Sequence, residues 1–271
     1  MLNATELVHV DTNGRRLALT RGGSGAPMVV LETGLGAESD EWEAVQQELA
    51  PFTQTCRYDR ANRGHSDPAP IPCSARDFVA DLHTLIVTAA LPRPVVLVGH
   101  SLGGLIVRLY AHEYPRDVAG LVLVDPMHED QFERIGPLLP SPFPGEPETL
   151  TQFRRFWTTD WRDPAKNSEG VDFLASQAQA HTIGSLGDIP MLVLTTGTFL
   201  REAPPGDPNA ARMHLLWQDM HRELMQQSSN AQQILVETSG HFIQREQPGV
   251  VVAAIRQRVQ LLRQPLMIEQ S

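Results

Sequence analysis

Cysteine is scarce in this chain of 271 residues: there are two, Cys56 and Cys73. One falls in a predicted strand and the other in a loop, which reads as two separate thiols and excludes a disulfide framework. Basic residues are outnumbered, 22 Lys and Arg against 32 Asp and Glu, for a net charge of −10. That balance argues against nucleic acid or an anionic membrane surface as the main partner. No apolar run approaches the ~18 residues of a membrane-spanning helix. The opening Met1-Leu2-Asn3-Ala4-Thr5-Glu6 has no basic stretch followed by an apolar one, so no secretory signal is expected. A cytoplasmic location follows as the default. The oligomeric state leaves no mark on the sequence.

What is present is core material: 41% hydrophobic against 20% charged residues, an ordinary globular balance. Residues 6–21 read as a hairpin around Asp11-Thr12-Asn13-Gly14, whose Asn-Gly is a strong turn signal. Short apolar runs follow at Pro27–Leu31, Thr53–Tyr58, Val95–Val98, Val118–Val124, Pro190–Thr195 and Gln233–Val236. Amphipathic stretches separate them, at about 40–49, 75–89, 102–110, 209–227 and 248–262. Such alternation predicts parallel strands covered on both faces, an open α/β sheet with helices on each side. Ligands of such sheets bind beyond the carboxyl ends of the strands.

The alternation breaks between Met127 and about Asp188. Five prolines (Pro137, Pro140, Pro142, Pro144, Pro147) mark an irregular connector. Phe153, Phe156, Trp157 and Trp161 follow, then a helical piece near Asp172–Ala180. The expectation is a lid, 127–188, inserted into a core of 1–126 and 189–271. The last eight residues are expected to be frayed.

Gly99-His100-Ser101-Leu102-Gly103-Gly104 stands at a strand-to-helix junction. The apolar run before it is β-branched. Leu102, Leu105, Ile106, Leu109 and Tyr110 after it fall on one helical face. A Gly-x-Ser-x-Gly at such a junction is a nucleophile elbow, with glycines where neighbouring backbone must pass close. A serine hydroxyl needs a base in hydrogen-bond reach, and the base needs an orienting carboxylate. His241, after the last strand in Ser239-Gly240-His241, is the base expected. His112, His214 and His221 fall in predicted helices, and His100 is expected to point away from the nucleophile's side. Asp125 ends the strand after the elbow helix and is the favoured acid. Glu202 and Asp207, after the strand at 190–195, are the alternatives. Backbone N–H groups of Leu35 and Leu102 are the expected oxyanion donors. Arg60, Arg63 and Glu32 read as rim residues that pair to hold loops. Glu129 and Asp130 read as solvated, with His128 within possible reach of the pocket.

These stretches, with Glu32-Thr33-Gly34-Leu35, Tyr58-Asp59-Arg60 and Gly64-His65-Ser66-Asp67, resemble the α/β-hydrolase fold superfamily over nearly the whole chain. The resemblance implies that fold and a serine hydrolase of esterase or lactonase type, with a small ester-like substrate and no cofactor or metal. Thr33-Gly34 departs from the His-Gly that many members carry, and the acid is absent from their commonest position. Haloalkane dehalogenases and fungal-mycotoxin lactonases of the family take the acid from the end of the strand after the elbow, which favours Asp125. Competing readings on the same residues are a proline-iminopeptidase-like aminopeptidase, with Glu129 or Asp130 anchoring an amine, a C–C bond hydrolase, an acyltransferase and a slow-turnover ligand receptor.

Overall fold

The computed structural model describes residues 6–12, 14–201, 203–204 and 206–264. Asn13, the first residue of the expected Asn-Gly turn, and the tail from 265 onward lie outside them. Strands β1 (Leu7–Asp11) and β2 (Arg16–Gly22) form the predicted hairpin. They are followed by β3 (Val29–Glu32), helix α1 (Glu43–Leu49), β4 (Thr55–Tyr58), α2 (Ala75–Thr88), β5 (Val95–His100), α3 (Leu102–Glu113) and β6 (Val118–Val124). Then come α4 (Gln131–Ile135), α5 (Glu148–Thr158) and α6 (Phe173–Ala180), before β7 (Met191–Thr196), α7 (Ala210–Met225), β8 (Ala231–Val236), α8 (Ile243–Glu246) and α9 (Pro248–Arg263).

The strands make one sheet in the order β1-β2-β4-β3-β5-β6-β7-β8, parallel from β4 to β8. The near-continuous apolar runs are central strands buried on both sides, as the absence of a polar face requires. Their side chains alternate between two cores. Val30, Leu97, Leu121, Leu123 and Val193 meet α2, α3 and α7. Val29, Leu31, Val96, Val98, Val122 and Leu192 meet α1 and α9. A Ser74–Asp77 capping box starts α2, satisfying backbone donors the helix cannot.

Register sets the active rim. Glu32 is level with Gly99, His100 with Val124, Val124 with Leu194, and Thr196 with Val236. The ends of β3, β5, β6, β7 and β8 therefore open on one edge. The chain reverses its direction of travel across the sheet between β3 and β5, the crevice where open α/β sheets take ligands.

The 127–188 segment holds more helix than the sequence suggested. Its proline-rich part has no α-helix between Ile135 and Glu148, but α5 starts directly after Pro147 and carries Phe153, Phe156 and Trp157. Phe132 stacks on Trp161 at 4.7 Å and meets Phe156, Trp157 and Phe173 edge-on. This aromatic cluster joins the core beneath it. Cys56 and Cys73 are buried and free. Among the described residues, no helix is long and apolar enough to cross a membrane.

Candidate active site

Ser101 lies between β5 and α3 with φ +51° and ψ −118°, a strained conformation for a residue with a Cβ. The surroundings hold it there. Its N–H donates to Val124 O at 3.2 Å, and its carbonyl accepts from Met127 N at 2.8 Å. The flanking glycines are required by close approach: a Cβ at Gly99 would lie 2.4 Å from Gly103 O, and one at Gly103 2.6 Å from Thr33 O.

His241 follows β8 and Asp125 follows β6. His241 Nδ1 and Asp125 Oδ2 are 2.7 Å apart. The other carboxylate oxygen, Oδ1, accepts from Thr196 N and from the Trp217 indole N–H, both at 2.9 Å. Asp125 is 1% exposed and the His241 side chain 37%. Burial works to raise the Asp125 carboxyl. The hydrogen bond and charge of His241, the nearby His221 and the Thr196 N–H outweigh it, so the carboxyl sits below its ordinary range. The acid is thus locked and ionised, while the histidine faces open space.

That space is a cavity of about 430 Å³ lined by Ser101 and His241 together. Aromatic side chains form one side of it, among them Phe132, Phe153, Phe156, Trp157, Phe199 and Trp217. Leu35 and Leu102, the expected oxyanion donors, line it too. Neither of their N–H groups finds a partner among the described residues. Leu102 opens α3, where the helix dipole favours negative charge. Ser101 Oγ likewise has no hydrogen-bond partner among the described residues, and it shares the cavity with His241.

Other expected site residues fall elsewhere. Asp207 accepts from Asn209 N at 2.9 Å, ahead of α7, and makes no contact with His241. Glu202 lies outside the described residues. His128 is buried, accepts from Asp130 N and does not line the cavity. Glu129 pairs with Arg108 at 2.8 Å, and Asp130 with His181 at 2.9 Å, so neither carboxylate reaches the cavity. Arg63 lies 3.6 Å from Glu38. His221 is a core residue bonded to Thr195 and to Pro126 O. His100 departs from expectation. It does not point away: its Nε2 donates to His241 O at 3.1 Å, and the two rings pack 4.7 Å apart. Two-residue alternation along β5 ends at the turned backbone of Ser101, and the His241 loop folds over it.

Trp217 and Thr196 were not anticipated at the site. Trp217 reads from sequence as one more apolar residue on a helix face. Its indole N–H reaches Asp125 across 92 residues of chain, which no local pattern signals. Among the described residues, no group of three or more His, Cys, Asp or Glu could hold a metal ion.

Residues 29–255 match the sequence model of the Alpha/beta hydrolase family. An uncharacterised protein of Bacillus subtilis is 27% identical over 235 residues, covering 87% of this chain and 84% of its own. A thermophilic esterase from Thermogutta terrifontis superposes with a TM-score of 0.65 at 22% identity, over 96% of this chain and all of that one. An N-acyl homoserine lactone degrading enzyme superposes at 0.62 with 18% identity, over 92% and 99% of the two chains. At these identities the solved structures speak to the fold alone.

Proposed function

This chain belongs to the Alpha/beta hydrolase family, and from that premise we propose that it is a serine hydrolase that cleaves carboxylic esters or lactones through an acyl-enzyme. The observation that carries the reading is the 2.7 Å contact between His241 and a buried, ionised Asp125, with His241 and Ser101 on one cavity. Asp125 holds the imidazole with its proton on Nδ1, leaving Nε2 as the base for Ser101. Ser101 Oγ attacks the carbonyl carbon and Nε2 takes its proton. The N–H groups of Leu35 and Leu102 hold the oxyanion. Nε2 then protonates the leaving oxygen, and water repeats the sequence on the acyl-enzyme. No metal or cofactor enters these steps.

The aromatic side suits an uncharged, apolar acyl or alcohol group. In this reading the 127–188 segment acts as the lid, since α5 supplies Phe153, Phe156 and Trp157 to the cavity. An aminopeptidase would need a free carboxylate for a substrate amine; those of Glu129 and Asp130 are engaged outside the cavity, and that of Glu246, which lines it, is held by Arg201 and the Gly240 N–H.

The test is p-nitrophenyl-ester turnover together with fluorophosphonate labelling. Wild type turns over continuously and is labelled, and Ser101→Ala does neither. Undiminished activity in Ser101→Ala overturns the assignment. A stoichiometric burst without turnover reassigns the protein as a slow-turnover receptor.

A further inference from the structure

Arg60 is 2% exposed, far from solvent for a guanidinium, and its partners are unusual. Nη1 donates to Glu32 Oε1 and to Thr33 O, each at 2.6 Å, and Nη2 donates to Gly34 O at 2.6 Å. Nε and Nη2 also grip Glu169 Oε2 and Oε1, at 2.9 and 2.7 Å. Glu169 belongs to the segment between β6 and β7, 109 residues from Arg60 in the chain. Its Oε1 goes further and accepts from Gly36 N at 2.5 Å.

These bonds account for the loop after β3. Arg60 takes the carbonyls of Thr33 and Gly34, Glu41 takes the N–H of Gly34 at 3.3 Å, and Glu169 takes the N–H of Gly36. Of the three consecutive donors, Leu35 N–H alone is left without a partner among the described residues, between two N–H groups pinned by carboxylates. We propose that Glu169 is a positioning residue that assembles the oxyanion hole, by clamping Gly36 and Arg60 so that Leu35 N–H stays free and aimed at the cavity. The proposal rests on the reading of Ser101 as nucleophile.

A charge partner alone does not account for Glu169. Glu32 already faces Arg60, and a second buried carboxylate adds desolvation cost. Burial, with the Glu169 charge nearby, pushes the Glu32 carboxyl above the ordinary carboxylate range. The Glu169 backbone is also built to stay put. Asn167 Oδ1 accepts from Glu169 N at 3.3 Å and Val171 N at 2.8 Å. Cys73 N donates to Gly170 O, and Asp172 N donates to Cys73 O. Residues 167–172 are therefore fixed to the core beside the loop they hold.

The experiment compares wild type, Glu169→Gln, Glu169→Asp and Cys73→Ala in p-nitrophenyl-acetate hydrolysis, with active sites titrated by a fluorophosphonate. Inhibition by a trifluoromethyl ketone, whose adduct with Ser101 carries an oxyanion, is read in parallel. Gln cannot receive both the guanidinium and Gly36 N–H without turning an amide N–H₂ toward Arg60. Glu169→Gln is expected to lose on the order of 10²-fold in kcat per titrated site, with KM changed less than about threefold. The inhibition constant rises by the factor by which kcat/KM falls. Asp keeps the charge but reaches one partner only, and falls between Gln and wild type. It carries the test if Glu169→Gln does not fold. Cys73→Ala removes the thiol that donates to Glu169 O at 3.2 Å, so it loosens the same segment without touching the carboxylate, and keeps kcat per site within about twofold. Unchanged kcat per site and inhibition in the Glu169 variants overturns the proposal, as does an equal loss in Cys73→Ala. Failure of wild type to be labelled at all overturns the nucleophile reading, and this proposal with it.

Discussion

The indole nitrogen of Trp217 donates a 2.9 Å hydrogen bond to Asp125 Oδ1, while the ring of the same residue lines the cavity. The wall that would touch substrate and the carboxylate that orients His241 are thus one mechanical unit. Trp217→Phe keeps much of the apolar wall and removes the donor. Hydrogen bonds to a charged group contribute about 1.5–3 kcal/mol, and Thr196 N–H remains. The variant should stay folded, lose roughly 2 kcal/mol in urea unfolding, and fall about tenfold in kcat. A kcat within twofold of wild type would detach Trp217 from the chemistry.

Asp125→Asn separates charge and tautomer from shape. Asn can still accept from Thr196 and Trp217 through its oxygen. Its amide then presents N–H to His241 Nδ1, forcing the imidazole proton onto Nε2, where the base is needed. A loss of about 10⁴ in kcat is expected, with the native fold retained by circular dichroism. Activity near wild type would move the acid elsewhere, with Glu202 the first position to test.

How much of this was legible in the sequence depends on how local each signal is. The strands of the core announced themselves because burial on both faces removes polar residues from them, and their limits moved by only a residue or two. Ser101 was legible because its turn writes glycines on either side. The places of Asp125 and His241 on the rim were legible because the first follows directly on a strand and the second lies in the loop after the last one. Glu169 and Trp217 were not, because their partners are 109 and 92 residues away, and the helical pattern that Trp217 belongs to speaks only of burial. His100 was expected to point away, but the loop that carries His241 folds over it, a contact across 141 residues that nothing local signals. Helix α5 was hidden by the prolines before it, which end where the helix begins.

Gly103→Ala tests the closeness of the elbow to the oxyanion loop. The added Cβ would lie 2.6 Å from Thr33 O and 2.7 Å from Glu32 O, both backbone atoms with little room to yield. Pushing Thr33 outward carries Leu35 with it, since Arg60 ties the loop together. The expected outcome is a fall on the order of 10²-fold in kcat with KM little changed. It should be accompanied by a lower melting temperature. A variant with the wild-type kcat would mean the loop is softer than its bonds imply.

His221 makes stability fall in mildly acid solution. Burial, its largest influence, holds the imidazole down to about 4 from 6.5, although the nearby Asp125 charge pulls the other way. In the unfolded chain it titrates near 6.5. Above that pH both states are neutral, and the group's contribution is fully present. Between 6.5 and about 4 the unfolded chain takes up a proton that the folded one refuses, so stability drains away as pH falls. Below about 4 both states are charged and the loss stops. The full loss is roughly 3 kcal/mol. His100, His128 and His214 are also held down by burial and add to the wild-type slope. The difference from His221→Gln therefore isolates this residue. Gln can donate to Pro126 O and accept from Thr195, as His221 does, but carries no titration. Urea midpoints measured from pH 7 to 4.5 should converge as pH falls, with the wild type losing its lead. Parallel curves would show that His221 takes up its proton equally in the folded and the unfolded chain, and that burial does not hold it down.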